Sequence, residues 1–328
     1  MYKEAKTVCD RPNNGRQLPS FQRSVRTHPS LGSAVLQYKC RQYRWFASAS
    51  PKRWIITTSV CVVTLITAAA LLNLGGRATG RGVSNALSLG FGTLNLDATL
   101  QYLNTRSIVG LVLLANSPQI LLSFLYFAYN SLYTCMLLAD DWSGYARERK
   151  PLRVTSQSGE QRSTYRLQLP YCYGIPLLIV SAVLHWLVSQ SIFVVFVQSY
   201  GTDGAFNGNP DGDAAIYTCG FSPSAILTTI IVGSVVLCLG IANGFRQYKP
   251  GIPLAGSCSA AISAACHPPP GDEGASQKAL LWGSCGHLDR DGKRREEDDQ
   301  RRDEIQVGHC SLTSFVAERP VEGVMYAG

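Results

Sequence analysis

Four stretches of the sequence are apolar and free of Asp, Glu, Lys and Arg over the length that a membrane-crossing helix requires. Such a helix needs about 20 mostly apolar residues to cross the hydrocarbon core of a bilayer. None of the four shows the one-sided apolar pattern by which a soluble helix faces a core. The sequence therefore predicts an all-α membrane protein with about four transmembrane helices, at about 54–74, 118–139, 176–197 and 223–245.

Prolines set the predicted starts of three of these helices. Pro118 follows Asn116 and Ser117, Pro176 lies within the third apolar stretch, and Pro223 follows Ser222. Proline is favoured in the first turn of a helix, where its missing N–H is not needed. We therefore expect each helix to begin at or next to its proline, and the first helix to begin at Trp54.

The basic residues of the loops predict an orientation. Six Lys or Arg residues lie in the loop 140–172, whereas the loop 198–222 has none and carries three aspartates. Basic loops stay cytoplasmic, so we expect the loop 140–172 and both termini to be cytoplasmic and Cys219 to lie on the other side. The predicted domains are a basic cytoplasmic N-terminal tail (1–53), a membrane domain (54–245) and a cytoplasmic C-terminal tail (246–328).

Composition predicts a largely disordered C-terminal tail. Fourteen of the sixteen residues in 289–304 are charged, and three consecutive prolines stand at 268–270. A segment of this kind buries too little apolar surface to fold. The tail cysteines (Cys258, Cys266, Cys285 and Cys310) are irregularly spaced and form no CxxC pair, so we predict no metal site. We predict no cofactor either.

Ten short motifs carry a resemblance to a known family. They are LANSPQ (114–119), LSF (122–124), LRV (152–154), EQRSTY (160–165), LQLP (167–170), LHWL (184–187), SQS (189–191), PLAGSC (253–258), ISAACHP (262–268) and GHC (308–310). From about residue 108 to 328 the chain resembles a family of uncharacterised multi-pass membrane proteins of filamentous fungi. The resemblance implies a location in a membrane and supplies no activity.

Two polar stripes mark the membrane helices. Ser181, His185 and Ser189 follow one another at helical spacing on the third helix, and the second helix carries Ser123, Tyr126, Asn130 and Thr134. One interpretation is a hydrophilic seam in which His185 handles a proton or a substrate, because ionisable groups within membranes are costly and often functional. The favoured interpretation is that a neutral His185 hydrogen-bonds Asn130 or Tyr126 and holds two helices together.

Small residues on the fourth helix predict close helix packing. Gly240 and Gly244 form a GxxxG motif, and Gly233 lies two turns earlier. Small residues let helix backbones approach one another. The contact predicted at Gly240 and Gly244 lies within the chain, with another membrane subunit, or with a second copy in a homodimer.

These features predict a non-enzymatic membrane component, acting as a scaffold or as part of a larger assembly. The alternative is a transporter or channel subunit that uses the seam around His185 and Asn130. Its environment is the lipid bilayer of the plasma membrane or an endomembrane. The Arg- and Ser-rich, acid-poor N-terminal tail has the composition of a mitochondrial transit peptide, but the run Pro12-Asn13-Asn14-Gly15 breaks any amphipathic helix there, so a mitochondrial membrane is the less favoured location. The net charge of +8 is not arranged as a nucleic-acid-binding module, so we expect no nucleic-acid partner.

Overall fold

The computed structural model of the chain describes residues 35–78, 90–93, 99, 108–198, 215–256, 258–269, 271–285 and 308–327. The charged run 289–304, for which we predicted disorder, lies outside these residues. So do the N-terminal residues up to 34.

The described chain is mostly helical and also contains strands. In chain order its elements are β1 (Val35–Gln37), a 3-10 turn (Trp45–Ser48), α1 (Pro51–Ala78), α2 (Ile108–Gly144), β2 (Lys150–Pro151), β3 (Arg153–Val154), β4 (Arg162–Ser163), α3 (Tyr171–Ser191), β5 (Ile192–Gln198), β6 (Ala215–Phe221), α4 (Pro223–Gly244), α5 (Ser259–Ala265), a second 3-10 turn (Ala275–Gln277), β7 (Ala279–Cys285), β8 (Gly308–Thr313) and β9 (Met325–Ala327).

The chain divides into two compact units. The helical unit contains residues 52–132 and 170–242, and the sheet unit contains residues 1–51, 133–169 and 243–328. Helix α2 contributes its residues up to Leu132 to the helical unit and the rest to the sheet unit.

Four helices of the described chain, α1 to α4, are long and apolar enough to cross a membrane. Large apolar side chains are exposed along them: Val109, Leu113 and Phe124 of α2 are 65–67% exposed, and Trp186 of α3 is 56% exposed. A soluble protein rarely leaves so continuous an apolar surface uncovered. The prediction of four such helices is confirmed by their length and composition.

Two helices begin before the prolines that were predicted to start them. Helix α2 begins at Ile108, so Pro118 lies inside it. A proline in a helix cannot donate to the carbonyl four residues back, here that of Leu114. The hydroxyl of Ser117 donates to that carbonyl instead, at 2.9 Å. Helix α3 begins at Tyr171, and Pro176 lies one turn inside it.

The third helix is also shorter than predicted, because its end is a strand. Helix α3 ends at Ser191, and the predicted helical residues that follow form β5, which pairs antiparallel with β6 from Ile192↔Phe221 to Gln198↔Ala215. The run Ile192–Val197 consists of β-branched and aromatic residues, which favour strands. Phe221 at the end of β6 packs with Leu72 of α1 and Ile226 of α4.

Cys219 lies within this hairpin and is fully buried, with its thiol 3.8 Å from the carbonyl oxygen of Leu111. The sequence placed it in a loop. Burial raises the pKa of the Cys219 thiol, so little of the reactive thiolate forms at neutral pH.

The sheet unit joins three distant parts of the chain. Its five-stranded sheet has the order β1-β9-β8-β7-β2, in which β8 and β9 are parallel and the other pairs are antiparallel. One buried cluster covers the sheet and includes Tyr38, Tyr145, Leu280, Trp282 and Leu312. Much of the C-terminal tail is therefore folded, which corrects the predicted disorder for the described tail residues. The tail strands β9 and β7 find hydrogen-bond partners in β1 and β2, which lie outside the tail.

A second contact joins the segment before α1 to the segment after α4. The backbone N–H of Trp45 donates to the backbone carbonyl of Arg246, and the backbone N–H of Tyr248 donates to the backbone carbonyl of Tyr43, both at 2.9 Å. The Trp45 ring stacks on the Tyr248 ring with centroids 5.8 Å apart. The Arg246 guanidinium lies 4.3 Å from the Trp45 ring centroid. Backbone pairing, stacking and a cation–π contact thus hold the two segments together.

A buried carboxylate fixes the end of β8. The side chain of Asp272 is fully buried and accepts hydrogen bonds from the Thr313 hydroxyl and the Ser314 N–H, each at 2.7 Å, and from the Ser314 hydroxyl. Burial raises the pKa of Asp272, but these hydrogen bonds, with Lys278 3.9 Å away, outweigh burial and lower it. The ionised carboxylate is therefore the form that the folded sheet unit prefers.

We predict that Asp272→Asn destabilises the sheet unit, because the amide offers one acceptor oxygen where the carboxylate offers two. A loss of about 1.5–3 kcal/mol corresponds to roughly tenfold to hundredfold more opening. Peptide-resolved alkylation of the buried Cys310 at neutral pH measures this opening. Glu273→Gln is the matched control, because Glu273 is the exposed neighbour; equal rates in the two variants would contradict the prediction.

The same carboxylate predicts a pH dependence. A carboxyl whose pKa is lowered in the folded state stabilises the fold above its unfolded pKa of about 3.9, and that stability is lost as pH falls further. The difference in melting temperature between wild type and Asp272→Asn should therefore shrink as the pH is lowered below about 4.

Candidate functional site

His185 of α3, a residue of one predicted stripe, has a hydrogen-bond partner on α2. Neither predicted stripe included that partner. That partner is Gln119, one turn before Ser123. The Gln119 side-chain N–H donates to the His185 backbone carbonyl at 3.0 Å, and the Gln119 Oε1 lies 2.6 Å from His185 Nδ1. Because Oε1 can only accept, Nδ1 carries the ring hydrogen in this arrangement. One side chain thus engages both the ring and the backbone of His185.

This pairing corrects the predicted partner of His185. We expected Asn130 or Tyr126, which lie two to three turns further along α2. Gln119 extends the same stripe by one step, since the spacings 119, 123, 126 and 130 are 4, 3 and 4. The stripe continues from Ser123 towards the start of the helix, and this continuation is the sequence signal that points to Gln119.

The contacts given for the other stripe residues lie within their own helices. Ser123 donates to the Gln119 carbonyl of its own helix at 3.1 Å. Ser189 is exposed and donates to the Trp186 carbonyl at 2.7 Å. Tyr126 packs beside the Phe127 ring, with centroids 5.8 Å apart. Asn130 and Thr134 follow on α2, and Ser181 lies one turn before His185 on α3.

Polar side chains along the helices repeatedly bond to their own backbone. The side chains of Thr64, Thr67, Asn73, Asn116, Thr228 and Thr229 each donate to the carbonyl four residues earlier, at 2.8–2.9 Å. A hydrogen bond of this kind lets a polar residue face lipid or a neighbouring helix without an unmet donor.

The glycines of α4 allow close contacts within the chain. A Cβ added to Gly233 would lie 3.1 Å from Leu65 of α1. At Gly240 an added Cβ would collide with the Tyr129 hydroxyl, which donates to the Val236 carbonyl. At Gly244 it would lie 2.6 Å from the Phe46 ring.

The surface at Gly240 and Gly244, for which one prediction was a homodimer, is therefore covered by aromatic rings of the same chain. A GxxxG motif predicts that something approaches the helix closely, and here Tyr129 and Phe46 do so. The packing interpretation accounts for both glycines without a second copy.

The structure and the sequence together define a class: a chain with four helices long and apolar enough to cross a membrane, two of them joined by a histidine–glutamine pair, and a separate mixed sheet. The chain belongs to the family of the domain of unknown function DUF8419, whose family model matches residues 7–326. The match includes the first apolar helix, which the resemblance at 108–328 did not reach. Comparisons with the curated proteins and with the solved structures find no match.

We predict that the Gln119–His185 pair stabilises helix packing. In a double-mutant cycle of Gln119→Leu and His185→Leu, unfolding in detergent should reveal a coupling free energy of about 0.6–2 kcal/mol. Ser189→Ala is the control, because its hydroxyl bonds only within α3 and its removal should change stability little. Additive effects of the two leucine substitutions would show that the pair contributes no packing energy.

Proposed function

We propose that the chain is a multi-pass integral membrane protein that acts as a non-enzymatic scaffold, with the sheet unit as its cytoplasmic part. The observation that carries the scaffold proposal is the use of polar groups in the helices. Among the described residues, threonine and asparagine side chains such as Thr64 and Asn116 bond to the backbone of their own helix. Gln119 bonds to His185 on a neighbouring helix. Such groups serve packing rather than an aqueous path.

The sheet supports an even number of membrane crossings. Strand β1 precedes α1, strand β2 lies between α2 and α3, and β7 to β9 follow α4, yet all five pair in one sheet. Strands cannot pair across a bilayer, so these three segments lie on one side of any membrane that the helices cross. The six basic residues of the loop 140–172 favour the cytoplasmic side.

The orientation can be tested with cysteine labelling. Asp203→Cys introduces a thiol into the loop 198–222, whereas the native Cys40 and Cys266 are exposed in the sheet unit. In intact cells we expect an impermeant maleimide to label Asp203→Cys, and to label Cys40 and Cys266 only after permeabilisation. Cys219 should stay unlabelled because it is buried. Labelling of Cys40 and Cys266 in intact cells would show that the orientation is the reverse of the one proposed.

The scaffold proposal predicts a constant set of bound membrane proteins and no transport. Cross-linking in native membranes followed by purification should recover the same partners at fixed ratios. Asp272→Asn, which loosens the sheet unit, should reduce their recovery, whereas Glu273→Gln should not. The purified chain in proteoliposomes should pass ions and small solutes no faster than empty vesicles do.

The alternative is a transporter or channel subunit, which the Gln119–His185 pair favours because it places an ionisable group within the helices. Flux through the purified chain that His185→Leu abolishes, with the protein still folded, would establish the alternative and overturn the scaffold proposal. Four helices without internal repeats are few for an independent transporter, which is why this function ranks second.

A further inference from the structure

The sheet unit contains a cavity of about 150 Å³. It lies where the chain leaves two of the long helices: Arg147 follows the end of α2 at Gly144 by three residues, and Gly251 follows the end of α4 at Gly244 by seven. Tyr38 and Trp282 form an aromatic wall, with their ring centroids 6.2 Å apart. The cavity is large enough for several water molecules. It suits a small group rather than a whole drug-sized ligand, whose pockets begin at about 300 Å³.

The charge of the cavity has one sign. Two arginines, Arg147 and Arg319, line it, and none of the described lining residues is acidic. Burial raises the pKa of Tyr38 far above its ordinary value, so this phenol adds no negative charge. Its hydroxyl donates to the Gly251 carbonyl at 2.7 Å. The lining therefore attracts an anion.

Within the described part of the chain, both guanidinium groups are open to a ligand. Glu148, the acidic neighbour of Arg147, is held by Lys249 at 2.6 Å. Arg319 follows a backbone bridge in which Glu318 and Ser284 exchange two hydrogen bonds of 2.8 and 3.1 Å, so its backbone position is fixed. Among the residues that the structure describes, neither guanidinium takes part in an ion pair.

We propose that this cavity binds a phosphate group, carried either by an anionic lipid headgroup or by a soluble phosphate ester, with Arg147 and Arg319 as its ligands. Arginine presents a planar set of N–H donors that matches two phosphate oxygens at once. Helices α2 and α4 end within a few residues of the cavity, which favours the lipid headgroup as the source. This site is distinct from the Gln119–His185 pair and does not depend on the scaffold proposal.

Cys40 supplies a reporter for the test. It lines the cavity and is exposed, and Cys266 is exposed in the same unit but does not line the cavity. The full chain in neutral phosphatidylcholine nanodiscs is alkylated with uncharged iodoacetamide, and peptide mass spectrometry follows each cysteine. We expect nanodiscs that also contain phosphatidic acid to slow alkylation of Cys40 several-fold and to leave Cys266 unchanged.

Three variants establish whether the arginines are the ligands. Arg147→Gln and Arg319→Gln should each weaken the protection of Cys40 by roughly tenfold or more in the required lipid concentration. Arg166→Gln makes the same charge change at an exposed position that does not line the cavity, and should keep the protection. Slow alkylation of the buried Cys310 in each variant confirms that the sheet unit is folded.

A second arm separates the two sources of phosphate. Glycerol phosphate or inorganic phosphate added to neutral nanodiscs would protect Cys40 if the site takes a soluble phosphate ester. Protection by phosphatidic acid alone would identify a lipid headgroup. The proposal is overturned if neither protects Cys40, if Cys266 slows equally, or if both arginine variants keep full protection.

Discussion

Hydrocarbon offers no hydrogen-bond partner, so every polar group on a helix that crosses a bilayer has to be satisfied within the protein. Several polar residues on the long helices of this chain follow that constraint. The carbonyl of Leu114, which Pro118 cannot serve, receives the Ser117 hydroxyl. Threonines and asparagines return their donors to their own backbone. Gln119 and His185, on neighbouring helices, bond to each other. These side chains bond to their own helix or to a neighbouring one.

The sheet unit depends on contacts between segments that are distant in sequence. Its strands have two to seven residues, so a single strand or hairpin of the sheet is not expected to be stable alone. What holds it is a shared core around Trp282 and the buried Asp272, which ties the end of β8 to the segment between α5 and the second 3-10 turn. Two arginines then stand at the edge of this core with no acidic partner in the described cavity lining.

Hydropathy predicted the four long helices because length and the absence of charge are properties of a local segment. It could not distinguish the end of α3 from β5, because Ile192–Val197 is as apolar as a helix and only pairing with β6 decides its conformation. The tail was misjudged for a related reason. Its composition is polar, but its strands are completed by β1 and β2, which lie far away in sequence. His185 was identified as a residue of interest, but its partner depends on how α2 and α3 face each other, which one sequence does not reveal.

The pairing of β1 with β9 has a consequence for biosynthesis. Val35 lies opposite Ala327, about 290 residues later, and synthesis runs at roughly 5–20 residues per second. For on the order of 15–60 s, β1 therefore has no β9 to pair with, while the four apolar helices are being synthesised. The sheet can close only after Ala327 has been synthesised. Until then the β9-facing edge of β1 lacks its native partner and is open to pairing with other strands.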